Sequence, residues 1–154
     1  MCPPKAGIRA AGFRSAESCS RTNTGDTVEK SVIRTEAAPA PFQGAPYNQA
    51  IVAGDLVFVA GQTGLVPGGT TVEGDIGQQT EQALANLAAI LEAAGSSLEN
   101  LVKTTVFLTD LGDFQAMNEV YTRHVGDRPP ARSTVEVSGL PAGAAVEIEA
   151  VAHL

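Results

Sequence analysis

From about residue 30 onward, apolar and polar positions alternate between two periods. "SVIRT" (31–35) is a short candidate strand. "AIVAGDLVFVAG" (50–61) holds two apolar runs about Ala53-Gly54-Asp55, which predicts a hairpin. The turn-rich "LVPGGTTVEG" that follows reads as loop. Asp75 stands three residues before Gln78, the spacing of a capping box. Beyond it, Thr80, Ala83, Leu84, Leu87, Ile90, Leu91 and Ala94 recur as one helix face, and Gly95 is placed to end the helix. "LVKTTVFLTD" returns to period two, with Val102, Thr104, Val106 and Leu108 on one side. A second helix is predicted from Asp113 to His124, turning Phe114, Met117, Val120 and Tyr121 to a core. Gly126 and the Pro129-Pro130 pair stop it. Two last strands, about 133–138 and 145–152, flank "SGLPAG".

The order β-β-β-α-β-α-β-β defines an α+β protein. Two helices cannot cover both faces of a six-stranded sheet, so they should pack on one face. The other face must then be hidden otherwise, and self-association is the obvious way.

Residues 1–27 stand apart from the single domain predicted over 28–154. "MCPPKAGIRAAGFRSAESCSRTNTGD" has no strand alternation, a helical pattern broken by Pro3 and Pro4, and no apolar centre of a secretory signal. Arg9, Arg14 and Arg21 would suit a mitochondrial leader, but Glu17 and Asp26 count against it. The segment reads as a disordered extension or as the product of an upstream start codon, and the protein as cytoplasmic. No apolar stretch approaches the roughly 18 residues of a membrane span.

Charge narrows the partners. Residues 38–154 hold four Lys/Arg against thirteen Asp/Glu, a net −9 within the chain's −7. Such a body repels phosphate backbones, which disfavours nucleic acid. Both cysteines, Cys2 and Cys19, lie in the leader, so the body has neither disulfide nor reactive thiol. The two histidines, His124 and His153, lack metal-ligand spacing and read as a solvated helix-end residue and a tail residue.

One residue poses a question. Arg132 follows two prolines at the mouth of a strand, with Glu136, Glu147 and Glu149 nearby in sequence. A surface salt bridge and a clamp for a small carboxylate both remain open. A guanidinium offers a planar fork that meets a carboxylate with two parallel hydrogen bonds. In "AAVEIEAVA", Val146 and Ile148 share one strand face while Glu147 and Glu149 share the other. Spacing alone leaves both glutamates solvated.

"GAPYNQA", "LVFVAGQ", "EQALANLAAILEAAGSSLENLVKTTVFLTDLGDFQAMNEVY", "PPARSTVEV" and "LPAGAAVEIEAVA" together resemble the RidA (YjgF-type) reactive-intermediate deaminase family. The likeness runs from about Ala38 to Ala152. It implies a chorismate-mutase-like fold, a homotrimer with ligand clefts between subunits, and no cofactor. It also implies hydrolysis of enamine/imine acids, such as 2-aminoacrylate and 2-iminopropanoate, to 2-oxo acids and ammonia. Under it, Arg132 matches the substrate-binding arginine and Glu147 the glutamate that handles the attacking water. Tyr47 and Asn118 match an aromatic wall and a polar contact of the cleft. Gly61 offers a backbone N–H, and Thr134 takes a position where some relatives carry cysteine.

The chain also departs from the family pattern. The usual Ser-Gly-Gln reads Ala60-Gly61-Gln62, the following Ile-Pro reads Thr63-Gly64, and one extra residue precedes Pro46. A basic residue common before Leu-Pro is Gly139 here. These changes bear on substrate preference. Besides a hydrolase, two readings stay open: a non-catalytic trimeric sensor of small 2-oxo or related acids, and an RNA-acting protein, which the acidic body disfavours.

Overall fold

A computed structural model describes residues 29–70 and 72–154, so the expected extension over residues 1–27 lies outside the described residues. Helix α1 (Ile76–Ala93) starts at the predicted capping box. The Asp75 carboxylate accepts from the Gln78 backbone N–H at 2.9 Å, and the Gln78 side chain accepts from the Asp75 N–H at 3.0 Å. Leu84, Leu87, Ile90 and Leu91 are fully buried along its inner face. Each contributes about 1.5–3 kcal/mol of apolar burial. Gly95 ends the helix with φ +83°, a conformation that costs glycine little.

The strands are β1 (Lys30–Ile33), β2 (Ala50–Ala53), β3 (Leu56–Thr63), β4 (Leu101–Leu108), β5 (Ala131–Glu136) and β6 (Val146–His153). They form one mixed sheet in the order β1-β2-β3-β6-β4-β5. Only β4 and β5 run parallel, because helix α2 (Phe114–Val125) carries the chain back between them. Strand β6 pairs with both β3 and β4 and so joins the two halves.

Both helices cover the same face, as the element order predicts. Val57, Val59, Val106, Leu108, Val146, Ile148, Ala150 and Ala152 pack there against α1 and against Met117, Val120, Tyr121 and Val125 of α2. The opposite face has no covering layer among the described residues. Register places Val32, Ile51, Phe58 and Val151 in one row across it. Val32 is 50% exposed and Phe58 45%. The row leaves an apolar strip on this face open to solvent in the single chain. No helix among the described residues is long and apolar enough to cross a membrane.

Four local expectations need correction. Val102 does not join Thr104, Val106 and Leu108 on the inner face. The pairing with β6 shifts between Leu101 and Lys103, and this leaves Val102 50% exposed. Phe114 is 40% exposed rather than core, because it opens α2 beyond the sheet's buried centre. Strand β5 begins at Ala131, two residues earlier than predicted, so Arg132 lies inside the strand and not at its mouth. His124 is no free helix-end histidine: its Nε2 lies 2.8 Å from Glu81 Oε1 on α1.

Candidate functional site

Two groups of side chains carry the site chemistry, and the sheet separates them. The first begins with a β-bulge. Val59 pairs with Ala150 and Gln62 with Ile148, so Ala60 and Gly61 together oppose the single residue Glu149. Bulges of this kind re-aim side chains next to functional sites. Here the bulge brings Gly61 against Glu147, whose side chain fills the space where a Cβ on residue 61 would stand. Thr63 is the direct cross-strand partner of Glu147.

These residues open into a cleft of about 470 Å³, lined by Tyr47, Gly61, Thr63, Leu65, Ala142 and Glu147 among others. Its walls are pinned by buried amides. Asn86 on α1 donates to the carbonyls of Thr63 (3.1 Å) and Leu65 (2.8 Å). Gln49 donates to the carbonyls of Thr35, Ala38 and Pro39. The Tyr47 hydroxyl accepts from the Phe42 N–H at 2.7 Å, which fixes the ring as a wall. Burial pushes the Glu147 carboxyl above its ordinary range, and the neighbouring Glu149 charge adds to the shift.

The second group sits on the helix side of the sheet. Arg132 pairs across the β4–β5 ladder with Thr104, whose hydroxyl lies 2.7 Å from the Tyr121 hydroxyl on α2. The Arg132 guanidinium carbon stands 4.7 Å from the Tyr121 ring centre and 5.6 Å from that of Phe114. Asn118 lies between those two aromatic residues on the same stripe of α2, at the i, i+4, i+7 spacing. Two residues along β5 on the same face, the Thr134 hydroxyl is buried without a hydrogen-bond partner.

The salt-bridge reading of Arg132 fails on geometry. Glu136 Oε2 instead accepts from the Leu111 N–H at 2.9 Å. Glu147 and Glu149 pair with Phe107 and Thr105, which places them on the face opposite Arg132. The ion pairs among the described residues are Arg123–Glu81 and His124–Glu81. Five guanidinium N–H donors and a spare threonine hydroxyl therefore meet no carboxylate among the described residues. That inventory suits a small anion with two adjacent oxygens.

Tyr47, Gly61 and Glu147 are brought together, and so are Arg132, Asn118 and Thr134. Within one chain the two groups do not meet. Sequence reasoning assigned Tyr121 and Phe114 to the core; Tyr121 is core at 3% exposed, and what was missed is that both rings also face Arg132. Their shared stripe with Asn118 was the available signal.

Comparison with known proteins places this geometry. Among solved structures, Escherichia coli TdcF with bound serine is 38% identical, with a TM-score of 0.74 over 80% of this chain and 98% of that one. The fold is thus the α+β fold of those relatives, a six-stranded mixed sheet with its two helices on one face. Reactive Intermediate Deaminase A, chloroplastic, of Arabidopsis thaliana is 44% identical over 142 residues, covering 92% of this chain and 75% of that one. A 2-iminobutanoate/2-iminopropanoate deaminase of Mus musculus is 42% identical over 127 residues, covering 82% and 93%. The family model described as Endoribonuclease L-PSP matches residues 35–154. The chain belongs to this family, the YjgF/RidA family, as its sequence motifs led us to expect.

Proposed function

We propose that this protein is a hydrolytic deaminase that converts reactive enamine/imine acids of the 2-aminoacrylate/2-iminopropanoate type to 2-oxo acids and ammonia. It works as a homotrimer, with each cleft assembled from the Arg132 group of one subunit and the Glu147 group of the next. The observation that carries this reading is the unpaired Arg132 fork beside the unpartnered Thr134 hydroxyl. The composite cleft is supported by the opposite-face placement of Arg132 and Glu147 and by the uncovered apolar row.

The chemistry follows from these groups. Arg132 holds the substrate carboxylate and fixes the adjacent C=N carbon. Glu147 takes a proton from water as its oxygen adds to that carbon, and the imine nitrogen is protonated to an amine. A second proton reaches this nitrogen, the C–N bond breaks, ammonia leaves, and the hydroxyl loses its proton to give the 2-oxo acid. A carboxyl raised above its ordinary range is a stronger base once ionised, which suits this relay near neutral pH. Hydrolysis uses water and proton transfer alone, so the proposal includes no cofactor. The ribonuclease wording of the family description fits less well, because a net −9 over residues 38–154 repels a polyanion.

The test is ammonia and 2-oxo acid release from imines generated in situ by an amino-acid oxidase. Arg132→Lys keeps the charge but loses the fork, and should lower kcat/KM about a hundredfold with trimer and Tm unchanged. Wild-type turnover by Arg132→Lys would remove the clamp. Tight 2-oxo acid binding with no turnover of any imine by the unaltered protein would favour a sensor instead.

A further inference from the structure

We infer that Tyr121 is a positioning residue that sets the plane and height of the Arg132 guanidinium through its hydrogen bond to Thr104; this rests on the clamp reading above. Three constraints close on one another. The β4–β5 ladder puts the Thr104 and Arg132 backbones side by side. Thr104 is fully buried, and its hydroxyl meets the Tyr121 hydroxyl at 2.7 Å. The Tyr121 ring then lies 4.7 Å from the Arg132 guanidinium carbon. The strand pair thus fixes both the root of the arginine and the anchor of the ring against its head group.

The phenol is what makes the contact definite. Tyr121 is only 3% exposed, and a phenol buried that deeply needs a partner for its hydroxyl. Thr104 supplies one at a single place, so the ring cannot slide along the arginine. A phenylalanine would offer the same face without that stop. Burial holds the Tyr121 phenol above its ordinary range, so the ring stays neutral and meets the cation with its π face alone. Among the described residues the guanidinium meets no carboxylate, and contact with the ring face leaves its N–H donors available to a ligand. An arginine with a long flexible stem would otherwise have to order itself on each binding event.

The experiment measures kcat and KM with oxidase-generated imines, and the Kd of 2-oxobutanoate by calorimetry, in the full chain. Tyr121→Leu should raise KM and Kd about tenfold while retaining the trimer. Tyr121→Phe and Thr104→Val, which keep the ring but release its anchor, should each raise both about threefold. In an Arg132→Lys background, Tyr121→Leu should add almost nothing, because there is no fork left to position. A merely structural tyrosine would lower Tm and cost the same factor in both backgrounds, and that result overturns the inference. If Tyr121→Leu fails to fold, wild-type KM and Kd in both anchor variants overturn it equally. Impaired Arg132→Lys with unimpaired Tyr121 and Thr104 variants leaves the clamp standing and removes only this role. Wild-type turnover in Arg132→Lys removes both.

Discussion

Gly61 and Glu147 compete for one volume: the Glu147 carboxylate lies where a side chain on residue 61 would begin. Gly61 has no left-handed φ, so alanine can adopt its backbone. The obstacle is the end of a flexible side chain, so Gly61→Ala should swing the carboxylate aside and leave the strands paired. We expect kcat to fall about tenfold or more with KM changed less, since the substitution displaces the Glu147 carboxylate and leaves the proposed clamp, Arg132, unaltered. Tm should drop by only a few degrees, within the usual range of point substitutions. Steady-state kinetics and a melting curve check both parts.

Glu149 shares an open strand face with Glu147 and raises its pKa, adding to the larger effect of burial. Lys103 is the cation that register brings to that face, beside Val151. A base must be ionised to act, so activity should climb with pH through a value above the usual glutamate range. Glu149→Gln removes a like charge, lowers the pKa of Glu147 and moves that rise to lower pH. The pH dependence of kcat reads the shift directly. A rise that stays in place, or moves upward, would separate Glu147 from the proton relay.

Asn86 is 1% exposed and holds the carbonyls of Thr63 and Leu65 to α1. Asn86→Ala leaves the buried Leu65 carbonyl and the part-buried Thr63 carbonyl without their donor, and a buried acceptor left unpaired costs about 1–3 kcal/mol. We expect a Tm loss of several degrees and faster amide exchange at Leu65. Hydrogen exchange localises the effect to this cleft wall rather than to the whole fold.

Much of the fold was legible because burial imposes a period. The α1 stripe and the β2–β3 hairpin need only local pattern, and the structure places both as read. Strand β5 was read two residues late because Pro129 and Pro130 signal a break. Proline is nevertheless tolerated at the entrance to an edge strand, and β5 is one. The bulges at Val102 and at Ala60-Gly61 were invisible, since each depends on a partner strand far away in sequence. Asn86 gave no signal within the period of α1, because its partners lie 21 and 23 residues earlier. Alternation showed that Glu147 and Ile148 point apart, but only register across three strands puts Arg132 on the face that Glu147 avoids.

That placement has a genetic reading. If each cleft takes its arginine from one chain and its glutamate from the next, two inactive alleles can rescue one another. Arg132→Lys and Glu147→Gln protomers, unfolded together and reassembled at random, should regain about a quarter of the wild-type sites, one for every junction where two undamaged halves meet. Either variant alone should regain none. Inheritance of activity would then follow the pairing of neighbouring chains, and a cell carrying one copy of each defective gene would keep part of that activity.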